Sequence, residues 1–535
     1  VYVKRKYCTE NPANLPDNSH VKTLPMIMES PLQLLRELFP FGQSAAEQKS
    51  AAAVRGLLDT VTGLSPQETI AKLAGSVLPS VNVQANLHMR FKLLEDVRLE
   101  AEESLTVLEK LIGCAVLPLP LDAATSALQA DNLLKGLAIA YAGIARSIKK
   151  SHFNDGLNHL LHRCVLRAMA MISRRQLLAY RAYAVPSSSS WLALHELYQL
   201  VRGQLSSPLN GETAPIEHEY LGALLFAYLE PTKLPRAEID TLYASTRQLA
   251  AYALVGEIPA ETANGKMADG CLLVRPDEGN PGYSIMRLPS GAPMFGSLLI
   301  DCSQVIAALD RNITRRPGKV IDPDLAASPA LLQALRLAIS GKSARRFSRT
   351  RFRPRGDLVS GFGSVLSFLD GNTFSRRSVD AASRYDGRDY TSSEWAMVDE
   401  SPDGFRLRFI KGEKRNLGAG DLVALQPRES SKIHVCLVRR ISSSQIRLEV
   451  GLQLMSPQVS VVDIVAGDTE DQRAVFLHSL PAYGKFSGLI SAPGAFQTGQ
   501  KIMVKLPGRS LHRQIGTCME ANEGLEFFAL DLLPD

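Results

Sequence analysis

Seven basic residues and no acidic one stand between Lys342 and Arg355. Six of them are arginines: Arg345, Arg346, Arg349, Arg351, Arg353 and Arg355, which repeat the spacing RxxxR in overlapping registers, Arg345/Arg349, Arg349/Arg353 and Arg351/Arg355. A guanidinium is a permanent cation whose planar fork of N–H donors matches the oxygens of a phosphate or carboxylate. Such a run therefore says anion, without saying which. Further along stands Asp399-Glu400-Ser401-Pro402-Asp403-Gly404. There a carboxylate can accept two N–H groups, a hydroxyl can donate or accept, and a glycine allows a turn or a close backbone approach.

Other chemistries lack their residues. His152, His159 and His162 can share a helical face, but no carboxylate completes a ligand set and HExxH is absent, so no metal site is expected. No P-loop, no GxGxxG opening a helix and no GxSxG elbow occurs, and nothing points to catalysis. Seven scattered cysteines without a CxxC pair argue against a disulfide framework or structural zinc and for reduced thiols. Tyr385, Tyr390 and Trp395 lie near the arginines, where packing is the commoner role of an aromatic residue in a β protein.

The elements that must position these residues divide the chain. Residues 1–27 carry scattered prolines and basic residues with no periodicity, which predicts a disordered tail. Residues 28–256 are helical in pattern, as an all-α bundle or solenoid. Leu87, Phe91, Leu94, Ala101, Leu105, Leu108 and Ile112 form one apolar stripe, with Glu95, Glu102 and Glu109 elsewhere on that helix surface. Residues 257–341 read as a small mixed α/β segment, with strands at 271–274, 283–288 and 297–302 and a helix over 330–339 closed by Gly341. The basic linker is 342–357. From 358 onward short apolar runs alternate with Gly, Asp and Ser turns, which predicts an antiparallel β-barrel over 358–460, opening with a strand at 359–369, and a further small β unit over 461–535. No leader and no membrane insertion are expected, because Val1 to Glu10 is polar and no apolar run reaches the roughly 20 residues that a span needs.

The arginine run, followed across a predicted strand by Asp399, Ser401 and Gly404, resembles the PilZ domain, whose ligand motifs are RxxxR and [DN]xSxxG. Leu417 to Leu425, Val438-Arg439-Arg440 and Val450-Gly451-Leu452 are similar to that family's later strands, so the resemblance covers about 345–457. One departure is the distance between the motifs: the loop from Asp370 to Ser393 looks like an insertion and holds another RxxxR, Arg384/Arg388. The resemblance implies cyclic di-GMP as ligand, with no cofactor, no metal and no enzymatic turnover. Its ligand-binding residues here would be Arg345, Arg346, Arg349, Arg353, Asp399, Ser401 and Gly404. The chemistry agrees: the dinucleotide offers two phosphates and guanine edges and faces, which arginines pair with and stack on, while Asp399 can accept from guanine N1–H and N2–H.

The expectation is therefore a cytoplasmic receptor, multidomain α+β, whose helical domain meets a protein partner or a second copy of itself and is reoriented by ligand. Two rivals stand beside it. A degenerate barrel would bind partners without nucleotide, and a nucleic-acid-binding protein would use the 342–355 cluster, with steep salt dependence.

Overall fold

The computed structural model describes residues 45–150, 157–205, 214–257, 270–287, 296–315, 324–341, 350, 354–370, 392–412, 417–444, 447–466, 471–479 and 486–532. The first part is helical: α1 (Ala45–Asp59), α2 (Pro66–Lys72), α3 (Leu78–Asn82), α4 (Leu87–Cys114), α5 (Leu121–Lys150), α6 (Asn158–Arg181), α7 (Ser188–Leu205), α8 (Ala214–Tyr228) and α9 (Arg236–Leu249). Asn86 caps α4, its side chain accepting from the Met89 amide at 3.0 Å, and the predicted stripe from Leu87 to Ile112 is buried.

Glu95, Glu102 and Glu109 are not a solvated face. They repeat every seven residues opposite Arg167, Arg174 and Arg181 of α6, with Arg167–Glu95 at 3.0 Å, Arg174–Glu102 at 2.9 Å, Arg174–Glu109 at 2.6 Å and Arg181–Glu109 at 3.0 Å. Two helices whose equal spacing keeps the partners in step are thus zipped along one seam.

The mixed segment is a four-stranded antiparallel sheet in the order β1-β4-β2-β3, formed by β1 (Leu254–Glu257), β2 (Cys271–Val274), β3 (Tyr283–Ser284) and β4 (Leu298–Asp301). The run expected as a strand over 283–288 holds only two strand residues before a 3-10 turn takes over. Helices α10 (Ser303–Ile313) and α11 (Pro329–Ile339) follow. Ser328 caps α11, and Gly341 takes φ +70° just past its end.

Two closed barrels make up the rest. The first contains β5 (Arg355–Ser360), β6 (Ser393–Ser401), β7 (Gly404–Gly412), β8 (Leu422–Pro427), β9 (His434–Ser443) and β10 (Leu448–Ser456), in the order β10-β7-β6-β5-β8-β9. The second contains β11 (Val459–Val465), β12 (Gln472–Leu477), β13 (Gly488–Ser491), β14 (Lys501–Leu506), β15 (Arg509–Asn522) and β16 (Leu525–Leu532), in the order β11-β12-β13-β16-β15-β14. Numbered from its own first strand, each barrel pairs 1 with 2, 2 with 3, 3 with 6, 6 with 5, 5 with 4 and 4 with 1. The further β unit is thus a second barrel of the same connectivity.

The expected strand over 359–369 is a correction. The chain leaves β5 at Ser360, turns at Gly361 (φ +92°) and forms α12 (Phe362–Asp370). Val365, Leu366 and Phe368 are buried between the barrels, against Leu422 and Leu437 of the first and Val475 and Ile490 of the second. Apart from its serines and glycines, the run Val359–Leu369 is apolar in both its strand and its helix, a case in which periodicity cannot separate the two.

Tyr183 joins the helices to the first barrel. It sits at φ +53°, an unfavourable conformation for a residue with a Cβ. Its carbonyl accepts from Ser443 N–H at 2.9 Å, its hydroxyl donates to the Leu234 carbonyl at 2.8 Å, and Arg236 lies over its ring at 5.5 Å. Those tertiary contacts hold the strained backbone in place.

Candidate ligand-binding site

The site is assembled on β6, β7 and β10. On β7, Phe405 and Leu407 point into the barrel and Arg406 and Arg408 out; on β10, Val450, Leu452 and Leu454 point in and Glu449, Gly451 and Gln453 out. Cross-strand register then orders the outer face. Ser401 faces Gly404, which faces Gln453; Asp399 faces Arg406, which faces Gly451; and Arg408 faces Glu449. A bulge between Met397 and Asp399 shifts the β6 register there and aims Asp399 onto this face.

The Asp-x-Ser-x-x-Gly segment closes the β6–β7 turn. The Ser401 hydroxyl donates to the Gly404 carbonyl at 3.3 Å, and the Asp403 carbonyl accepts from Leu454 N–H at 2.8 Å. Gly404 has no alternative: at φ +154°, a Cβ there would overlap the Leu452 carbonyl oxygen. Together with Gly451 it makes a strip of bare backbone beside the turn, Gly404 buried against Leu452 and Gly451 half-buried.

Charge surrounds that strip. Asp399 lies 3.8 Å from the Arg406 guanidinium, and Glu449 holds both Arg406 (2.5 Å) and Arg408 (2.8 Å). Arg439, at a bulge in β9, donates to Gln453 at 2.6 Å and to Glu520 of the second barrel at 2.7 Å. Arg440 lies 3.9 Å from Glu230.

Of the residues expected at the site, the structure brings Asp399, Ser401 and Gly404 together. Arg345, Arg346, Arg349 and Arg353 lie outside the described residues, as do Arg384 and Arg388. Thr350, within the basic run, is described. It exchanges both backbone hydrogen bonds with Glu400, at 2.9 and 3.0 Å, and Glu400 stands between Asp399 and Ser401. The Pro354 carbonyl then accepts from Met397 N–H at 2.9 Å. The last arginine of the run is engaged elsewhere, since Arg355 pairs at 2.7 Å with buried Glu394, which Arg428 also reaches at 3.1 Å.

Sequence reasoning passed over Arg406, Arg408, Glu449 and Gln453. Their signal was the alternation of apolar with polar or glycine residues through 404–409 and 448–454, which assigns each to the outer face once the strands are paired.

Residues 51–260 match the model of the N-terminal domain of the cyclic-di-GMP receptor FimW, and residues 369–460 match the model of its middle PilZ domain. The first barrel is a PilZ domain. Helical N-terminal region and PilZ barrel together are the architecture of a cyclic-di-GMP receptor, a binding protein rather than an enzyme, whose ligand is the dinucleotide itself. No curated protein and no solved structure matches the chain. Among the described residues no helix is long and apolar enough to cross a membrane, and no cluster of His, Cys, Asp or Glu is arranged to hold a metal ion.

Proposed function

We propose that this chain takes cyclic di-GMP on the outer face of the PilZ barrel and transmits its binding to the helical region. Asp399 would accept from a guanine edge, Ser401 would contact an exocyclic group or ribose, and Gly404 would let a base lie against the backbone. Arg345, Arg346, Arg349 and Arg353 would close over the phosphates and stack on the bases. The observation that carries this reading is the pairing of Thr350 with Glu400, the residue between Asp399 and Ser401. Drawing that run onto the barrel would turn the helical region relative to it and change what it presents to a protein partner or a second copy, in the cytoplasm.

One observation favours a second source for the ligand arm. The matched PilZ segment begins at residue 369 and so contains Arg384 and Arg388 but not the 345–353 run. Against it, β5 precedes α12, so the 345–353 run stands ahead of the first barrel strand and Arg384/Arg388 after it. The 345–353 run is the reading adopted.

Calorimetric titration of the full chain with cyclic di-GMP, with GMP and cyclic di-AMP as controls, tests the function. Micromolar or tighter binding is expected, which corresponds to at least about 8 kcal/mol. Absence of heat and of competition at hundreds of micromolar ligand would leave the barrel as a partner-binding module. Steeply salt-dependent binding without preference for the dinucleotide would favour the nucleic-acid rival.

A further inference from the structure

Three guanidiniums bordering the glycine strip are already paired with carboxylates. Arg406 and Arg408 share Glu449, which belongs to the same barrel. Arg439 is different. Its Nε donates to Gln453 directly beside Gly404, while its Nη1 reaches Glu520 on β15 of the second barrel. The bulge between the Gly451 and Leu452 pairings leaves Arg439 without a cross-strand partner, and its side chain is 41% exposed, so the guanidinium is not walled in. The same end of β15 rests on the PilZ barrel through Asn522, whose amide donates to the Gly420 carbonyl at 3.0 Å.

We propose that Arg439 is a ligand-responsive tie: in the free protein it holds Glu520 of the second barrel, and in the bound protein its guanidinium turns to the dinucleotide on the glycine strip. This rests on the receptor reading above. A dianionic ligand beside Gly404 and Gly451 competes directly with a carboxylate for this cation, and a phosphate fits its fork at least as well. Glu520 then loses its counter-charge while Glu238 of α9 stays close by; burial, and next the charge of Glu520, already push the Glu238 carboxyl up. Two carboxylates left facing each other repel, which loosens the second barrel from both the PilZ barrel and the helical region.

The competition makes a thermodynamic cycle decisive. Four full-length proteins would be titrated with cyclic di-GMP: the parent, Glu520→Gln, Arg439→Gln and the double variant. Glu520→Gln removes the competing carboxylate and is expected to bind about two- to five-fold tighter, the scale set by a part-exposed ion pair. Arg439→Gln is expected to bind several-fold weaker. In the Arg439→Gln background, Glu520→Gln should change nothing further. An affinity of Glu520→Gln equal to that of the parent would overturn the proposal, as would the same gain in both backgrounds. If Arg439→Gln does not fold, the comparison of Glu520→Gln with the parent decides alone. A parent that binds no dinucleotide sinks the receptor reading itself and this tie with it.

Discussion

Asp421 stands at the turn where the helical region and both barrels meet, and replacing it with asparagine should stabilise the protein in a pH-dependent way. Its carboxylate accepts from Gly418 N–H at 2.6 Å, the neighbouring Ala419 N–H approaches the Tyr183 hydroxyl at 3.5 Å, and the Gly420 carbonyl accepts from Asn522. Burial pushes the Asp421 carboxyl up from 3.8 to about 6, the Gly418 hydrogen bond restoring only part of the loss. A folded pKa raised above the unfolded one contributes stability that is fully present below the unfolded value and is lost as pH rises through the folded one. The loss between pH 4 and pH 7 is therefore about two units, or roughly 3 kcal/mol, taken as an upper bound because the group is not fully buried. Asparagine keeps an oxygen for the Gly418 amide and never ionises. Asp421→Asn should thus gain about 1–3 kcal/mol at pH 7.5 and at most about 0.5 kcal/mol at pH 4. His434, which burial lowers to about 4, titrates in both proteins and cancels in the comparison. Urea unfolding followed by the fluorescence of Trp395, buried in the PilZ barrel, measures both differences. An equal difference at the two pH values, or a loss at pH 7.5, would refute the reasoning.

Arg349→Ala should weaken dinucleotide binding more than Arg384→Ala, by about 1.5–3 kcal/mol for a charged bidentate partner; if Arg384→Ala is the worse by calorimetry, the arm after α12 holds the ligand. Asp399→Ala should lose about ten-fold or more in affinity, and with it the ligand-induced change in small-angle scattering. It should still unfold within about 1 kcal/mol of the parent, because Arg406 keeps Glu449. Arg174→Ala should cost about 1–2 kcal/mol of stability in the helical region, since it leaves half-exposed Glu102 without its arginine and Glu109 with Arg181 alone. A melt of that variant superimposable on the parent's would show that the zipper contributes nothing net.

The stretches legible in the sequence are those where one face alone is buried. The stripe of α4 and the strands β7 and β10 are of this kind, and the turn motif at 399–404 is legible because Gly404 and Ser401 are fixed by the turn they close. What was not legible depended on partners. In Val359–Leu369 the apolar residues continue past Gly361 into α12, which is wedged between two barrels, so the strand pattern ran on through a helix. Glu95, Glu102 and Glu109 looked like solvent contacts because their arginines come from a helix some seventy residues on; the shared seven-residue spacing was the available clue. On the outer face of the barrel, Arg406, Arg408 and Gln453 carry no motif, and only strand register puts them beside Asp399 and Gly404.

The most direct test of the central claim is hydrogen exchange of the full chain with and without saturating cyclic di-GMP. Ligand held between the basic run and the β6–β7 turn predicts slower exchange over 342–356 and 398–404, with trypsin cleavage at Arg345 to Arg355 suppressed to match. Protection over 384–388 instead would move the arm to the segment after α12. Unchanged exchange in all three segments at saturating ligand, or protection confined to the second barrel, would contradict the account.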